Sequence, residues 1–134
     1  MGATDAHGSE RAKFVDVLTE SVLGAAFEIA NVLGAGFLEK VYERAFLREL
    51  ALRGLNAKSQ VSFRFVTRDI SLATTWRIWC WKNKLIVELK CVDQLSNEHL
   101  AQCINYLKAS HIRLALLINF QRPRIEWKRV VFDQ

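Results

Sequence analysis

The sequence predicts an α/β domain in which a mixed β-sheet is flanked by α-helices. Two helical segments come first, and a strand, a helix and a strand then follow one another, an order that implies a parallel crossover. The length of 134 residues, with 51% hydrophobic and 25% charged residues, is typical of one domain with a single core. We expect this domain to span residues 11 to 134, after a small, polar and disordered tail of residues 1 to 10.

The helical segments are recognised by apolar residues that recur at intervals of three and four. The first runs from Arg11 to Leu33 and ends at the glycines of "GAG", which suit a left-handed turn. The second runs from Phe37 to about Arg53, and Gly54 closes it. A third helix is predicted in "LSNEHLAQCINYLKAS", where Leu100, Cys103, Ile104 and Leu107 have helical spacing.

Four segments have the pattern of strands. In "QVSFRFV" apolar and polar residues alternate, whereas "KLIVELK" is a mostly apolar run with its charges at the ends. The segment "IRLALLINF" is typical of a strand buried on both faces, and "RIEWKRVVF" of a strand nearer an edge.

Composition narrows the classes of function. No apolar stretch approaches the ~20 residues that a membrane span needs, and the N-terminus lacks a hydrophobic signal core, so we expect a cytoplasmic protein without a membrane partner. The formal net charge of +5 fits a nucleic-acid partner, DNA or RNA, although many basic domains bind nothing anionic. Three cysteines without CxxC spacing argue against a disulfide framework and a structural zinc site, and favour buried free thiols.

Glu88 and Lys90 are the first candidates for chemistry. They stand two apart at the end of an apolar strand, so both side chains point to the same face. One interpretation is a salt-bridged pair at a strand end. The other is a site in which the carboxylate holds Mg²⁺ and the lysine orients or activates a water beside a phosphate.

Two helices add further candidates. Glu39 lies in the first turn of the second helix, where a glutamate is commonly a solvated residue favoured by the helix dipole. Gln102 and Tyr106 share one face of the third helix, and a surface amide beside a packed aromatic is the ordinary interpretation of that spacing. The histidines show no ligand spacing and are assigned no role.

Three motifs in this order, "GFLEKVY", "VELK" and "QCINYL", resemble the GxxExxY proteins, a small bacterial family of the PD-(D/E)XK nuclease superfamily. The resemblance extends from Val15 to Val131. It implies a restriction-endonuclease-like core and Mg²⁺-assisted hydrolysis of a nucleic-acid phosphodiester. By position it assigns catalytic roles to Glu39, Glu88, Lys90 and Gln102, with Glu39 and Glu88 as metal ligands.

The segment before Glu88 departs from the family pattern. The family has an aspartate in a "YxADL" context about ten residues before its ExK pair, but no acidic residue lies between Asp69 and Glu88. With one choice of codons, regrouping the bases of Leu72 to Trp81 one position earlier gives "VGDYLADLVL", which restores the motif and puts its aspartate at the position of Ile78. We therefore hypothesise a frameshifted segment 72–81 and, with a main oxygen ligand gone, impaired catalysis.

Other interpretations of the same segment stay open. The three tryptophans in "TWRIWCW" could form a base-stacking platform. The whole chain could instead be a non-catalytic module that binds nucleic acid or a protein, or an unstable product of a damaged gene.

Overall fold

The structure, a computed structural model, describes residues 6–64, 73–80 and 84–133, without the side chains of 6–15, 60–64, 73–77, 79 and 80. The elements, in chain order, are α1 Ala6–Leu33, α2 Glu39–Leu52, β1 Ala57–Arg64, β2 Ala73–Cys80, β3 Leu85–Lys90, α3 Asn97–Ser110, β4 Leu114–Asn119 and β5 Glu126–Val131. The predicted tail and domain boundary stay predictions, although α1 begins five residues before the start that periodicity indicated.

The five strands form one mixed sheet in the order β1-β2-β3-β4-β5. The pair β3/β4 is parallel, and the pairs β1/β2, β2/β3 and β4/β5 are antiparallel. The predicted fold class and the predicted parallel crossover are therefore confirmed. The crossover contains α3, and β5 lies at an edge of the sheet as its sequence indicated.

Helices cover both faces of the sheet. On one face, α1 and α2 pack against Val87, Leu89, Leu116 and Ile118, alternate residues of the two central strands. On the other face, Cys103 and Leu107 of α3 pack against the residues in between, which include Ile86. Strands β3 and β4 are buried along their whole length, because each has a neighbouring strand on both sides and a helix layer on both faces.

The turn between α1 and α2 fixes where α2 begins. Gly34 and Gly36 have φ angles of 73° and 103°, a region that favours glycine, so the predicted left-handed turn is confirmed. The buried hydroxyl of Tyr42 donates to the carbonyl of Gly34 and accepts a bond from the amide of Phe37. The Tyr42 ring stacks on Phe120 with 4.8 Å between centroids. These contacts hold the first turn of α2, and therefore Glu39, over the sheet.

The tryptophan-rich segment forms β2, and its register decides which residue faces Glu88. Arg77 is the register partner of Glu88, and Ile78 is the partner of Val87. The Ile78 side chain has no exposed surface and packs in the cluster of α1 and α2. Because alternate residues of a strand point to opposite faces, Ile78 lies on the face away from Glu88 and Lys90. Trp81 is outside the described residues.

In the part of the chain that the structure describes, none of the helices is both long and apolar enough to cross a membrane.

Candidate active site at the end of strand β3

Glu88 and Lys90 lie on the α3 side of β3 and are both buried, with 0% and 8% of their surfaces exposed. They continue the row of positions that begins with the apolar Ile86. Removing a carboxylate and an ammonium group from water is costly, and apolar residues at these positions would avoid that cost. Their burial on the central strand is therefore typical of a functional pair, although a structural ion pair would look similar.

Glu39 reaches the same strand from the opposite layer. It is the first residue of α2, and its Oε1 accepts a hydrogen bond of 3.1 Å from the amide of Cys91, the residue after β3. Burial raises the pKa of Glu39, and the Cys91 amide and the charge of Lys90 oppose that rise. The bond to Cys91, the residue after Lys90, brings the Glu39 carboxylate to the same end of β3 as Lys90. We call Glu39, Glu88 and Lys90 the β3-end site.

Burial and the Glu39 charge together raise the pKa of the Cys91 thiol to about 11. Cys91 is half-buried and unbridged. At neutral pH it is therefore a protonated thiol and a poor nucleophile, which argues against cysteine chemistry at this site.

Asn119 holds the chain that leaves the β3-end site. It is the last residue of β4, is fully buried and lies beside Lys90 in the parallel pair. Its side-chain oxygen accepts bonds from the amides of Val92 and Gln121, and its amide group donates to the Val92 carbonyl and to Glu126. All of its hydrogen-bonding capacity is used, so it fixes the loop between β3 and α3.

Glu126 connects Asn119 to the segment that leads into α3. Its Oε1 also accepts a bond of 3.0 Å from the amide of Leu95, just before the helix. That bond lowers the pKa of Glu126, and the bond from Asn119 lowers it further. A polar residue at the end of an apolar strand, as in "LLINF", was the sequence signal that could have identified this support.

His99 lies at the start of α3 near the β3-end site, although sequence analysis gave it no role. It is half-buried, and its Nδ1 accepts a bond of 3.0 Å from the amide of Ser96. Burial lowers the pKa of His99, as does the charge of Lys90, while Glu98, Glu88 and Glu126 oppose the shift. The signal in the sequence was "SNEH", a capping box whose fourth residue is a histidine instead of the usual Glu or Gln.

Gln102 is half-buried, one turn after His99 on α3. Tyr106, one turn later, packs against the apolar cluster of the same layer. The helix therefore carries Gln102 on the layer that covers Glu88, but among the described residues Gln102 makes no hydrogen bond to the β3-end site. Its predicted catalytic role stays a prediction.

The described residues do not form a complete metal site. They contain no group of three or more His, Cys, Asp and Glu side chains that could hold a metal ion. Glu39 and Glu88 supply two carboxylates, whereas hard divalent cations take six or more oxygen ligands, most of which would have to come from water or substrate here. Ile78, at the position assigned to the missing aspartate, is apolar and faces the other layer. The set as it stands does not fit a tightly held Mg²⁺ ion.

Comparison with known proteins identifies one family. The family model described as the PD-(D/E)XK nuclease superfamily matches residues 16–130. No curated protein matches the chain, and no solved structure does.

Proposed function

This chain belongs to the PD-(D/E)XK nuclease superfamily, and from that membership we propose that it is a cytoplasmic protein derived from a Mg²⁺-dependent nuclease. Its substrate class is nucleic acid, and its reaction is phosphodiester hydrolysis. In the chain as written that activity is impaired, because the aspartate of segment 72–81 is missing. The resemblance to GxxExxY proteins supports the same assignment.

One observation carries the proposal: a carboxylate from α2 meets the end of the strand that buries Glu88 and Lys90. Three charged side chains from two layers of the fold are thereby gathered at one strand end, although burying them costs free energy. Buried ion pairs add little net stability, whereas a charged ligand would compensate the cost of burying these groups. A phosphodiester, which is anionic, is a ligand for which Lys90 supplies a complementary charge.

In this proposal Glu39 and Glu88 are the remaining metal ligands, Lys90 orients the phosphate, and Gln102 assists from α3. The intact site would use Mg²⁺ to lower the pKa of a water molecule and to polarise the phosphate. Because the described donors do not form a complete metal site, no step of the reaction is assigned to this chain through the metal.

A second function is a non-catalytic module that binds nucleic acid through its basic surface. The observation that favours it is the burial of Ile78 away from Glu88, because the position assigned to the missing aspartate then adds no ligand on the face of Glu88. Such a module would keep its affinity in EDTA and lose it with increasing salt, since its contacts with phosphate do not depend on a metal.

The experiment compares Mg²⁺-dependent cleavage of labelled DNA and RNA by two proteins. One is the chain as written, and the other is the segment-replaced protein, in which "VGDYLADLVL" replaces residues 72–81. Each is assayed with Mg²⁺ and with EDTA. Glu88→Ala in the segment-replaced protein controls for contaminating nuclease, and Glu28→Ala, at an exposed position on α1, is the matched control.

The restored aspartate stands at position 78, so the replaced strand has to pair one residue out of the present β2 register to bring it to the face of Glu88. Cleavage only by the segment-replaced protein, lost with EDTA and with Glu88→Ala, is the expected result. Cleavage by both proteins would contradict the proposed impairment and would mean that another group supplies the missing ligand. If neither protein cleaves, but both bind nucleic acid in EDTA, the nuclease proposal is wrong and the binding module is supported.

A further inference from the structure

His99 occupies a position where stability alone does not require a histidine. It is the third residue of α3, and it exchanges hydrogen bonds with Ser96, the residue that caps the helix. The amide of Ser96 donates to Nδ1 of His99 at 3.0 Å, and the amide of His99 donates to Oγ of Ser96 at 3.3 Å. Glutamate or glutamine normally supplies the returning bond. The capping contact therefore uses Nδ1 of the ring and does not account for Nε2.

The capping bond fixes the tautomer of the ring. A backbone amide can only donate, so Nδ1 must be the acceptor and carries no proton. In the neutral ring the proton is then on Nε2, which becomes a donor. Burial and the nearby Lys90 keep the pKa of His99 below its ordinary value, so this neutral form prevails at neutral pH.

The fold places the ring on the side of the β3-end site. His99 precedes Cys103 by one turn and Leu107 by two, and both of these residues are buried against the sheet. Because α3 connects two parallel strands, it runs antiparallel to them and starts beside the end of β3 where Lys90 lies. The other charged groups that act on the ring are Glu88, Glu98 and Glu126.

We propose that the Nε2–H group of His99 and the Nζ group of Lys90 together bind the non-bridging oxygens of a nucleic-acid phosphodiester. This inference rests on the proposed function, and it adds a substrate-contacting residue to that site. The ring is held at one nitrogen by the helix cap, so its second nitrogen is a donor in a fixed position. A glutamate at the same place would cap through one carboxylate oxygen and would present only a second acceptor, so it offers no donor to a phosphate.

The test separates capping from phosphate binding by the choice of substitution. His99→Glu preserves a capping box but removes the donor, whereas His99→Ala removes both. His111→Asn is the matched control, because His111 is an exposed histidine at the other end of α3, with a φ of 62° that asparagine tolerates. Lys90→Met tests the site itself. Binding of a fluorescein-labelled single-stranded DNA is measured in EDTA by anisotropy, and stability by thermal melting.

A second readout observes the ring directly. In ¹⁵N-labelled protein, the imidazole resonances of His99 should show the Nε2–H tautomer. Addition of the same DNA, or of inorganic phosphate, should shift the Nε2 resonance while His111 stays unchanged. A histidine that only caps the helix would keep its Nε2 resonance unchanged.

We expect His99→Glu to melt like the parent but to bind DNA at least about tenfold more weakly, because about tenfold is the usual size for one lost hydrogen bond to a charged group. Parental affinity in His99→Glu, with weakened binding in Lys90→Met, would overturn this inference alone. Parental affinity in both variants would overturn the proposed site as well. An unshifted Nε2 resonance at saturating DNA would likewise contradict the contact.

Discussion

The register of β2 can be tested by placing a carboxylate at each of two adjacent positions. Ile78→Asp puts it at a position with no exposed surface in the apolar cluster of α1 and α2. Arg77→Asp puts it at the register partner of Glu88. Because neighbouring residues of a strand face opposite ways, the two variants should behave very differently.

The cost of Ile78→Asp can be worked out from its burial. Loss of the isoleucine side chain from a packed core costs about 2–5 kcal/mol. Burial of a carboxylate without a partner adds several kcal/mol or forces the group to take up a proton. Total stabilities are about 5–15 kcal/mol, so Ile78→Asp should be largely unfolded. Ile78→Val, the control, should lose only about 0.5–1.5 kcal/mol.

Arg77→Asp should remain folded and gain a response to Mg²⁺, because it adds a third carboxylate on the side of Glu88. For an ion that binds with a Kd of about 1 mM, 10 mM Mg²⁺ would stabilise the native state by about 1.4 kcal/mol. The assay is urea unfolding at 0 and 10 mM MgCl₂, followed by far-UV circular dichroism. A folded Ile78→Asp variant that Mg²⁺ stabilises, beside an Arg77→Asp variant that it does not, would show that the register is wrong by one residue.

The remaining predictions concern the support of the site. Glu39→Gln should raise the urea midpoint slightly at pH 7. Burial raises the pKa of Glu39, so its charged form destabilises the native state above pH 4.5. The same substitution should abolish any cleavage, because it removes a proposed metal ligand. Alkylation of Cys91 by iodoacetamide at pH 7.5, followed by peptide mass spectrometry, should be slow, since its pKa is about 11, and should be faster in Glu39→Gln; equal rates would contradict the effect of that charge. Asn119→Leu should lower the free energy of unfolding in urea by about 2–5 kcal/mol, because it removes four hydrogen bonds. The control Asn105→Leu, at an exposed position on α3, should change that free energy by no more than about 0.5 kcal/mol. Acidification from about pH 7.5 to 5.5 should lower the melting temperature of the parent more than that of His99→Gln. The pKa of His99 is lower in the folded protein, so the unfolded chain binds the proton more readily. Equal decreases in melting temperature would contradict this linkage.

Much of the fold could be predicted from hydrophobic periodicity. The apolar runs of β3 and β4 and the helical spacing of α3 identified the crossover unit, and the parallel pairing followed from the short helix between the strands. The meeting of Glu39 with the end of β3 could be expected only from the family resemblance. No local pattern relates a residue of α2 to Cys91, more than 50 positions later.

Two features could not be predicted. The register of β2 could not be derived from the sequence, because apolar and polar residues do not alternate clearly in "TTWRIWCW". The pairing depends instead on where Ile78 finds an apolar environment. His99 was overlooked because a histidine at the start of a helix has no ligand spacing. The role proposed for it rests on its bond to Ser96 and on its place at the start of α3, next to the end of β3, and both depend on the three-dimensional structure.

The place of β2 in the sheet bears on what a frameshift confined to this strand would do. Strands β1 and β2 form an antiparallel pair on one side of β3, while the continuous stretch from Leu85 to Asn119 contains the crossover and about half of the buried apolar residues that the structure describes. A strand in which apolar and polar residues do not alternate clearly can pair one residue out of phase, exchanging the groups it presents to each face. A frameshift confined to β2 would then abolish enzymatic activity while leaving a folded polypeptide. Such a polypeptide would remain available to selection as a binding protein.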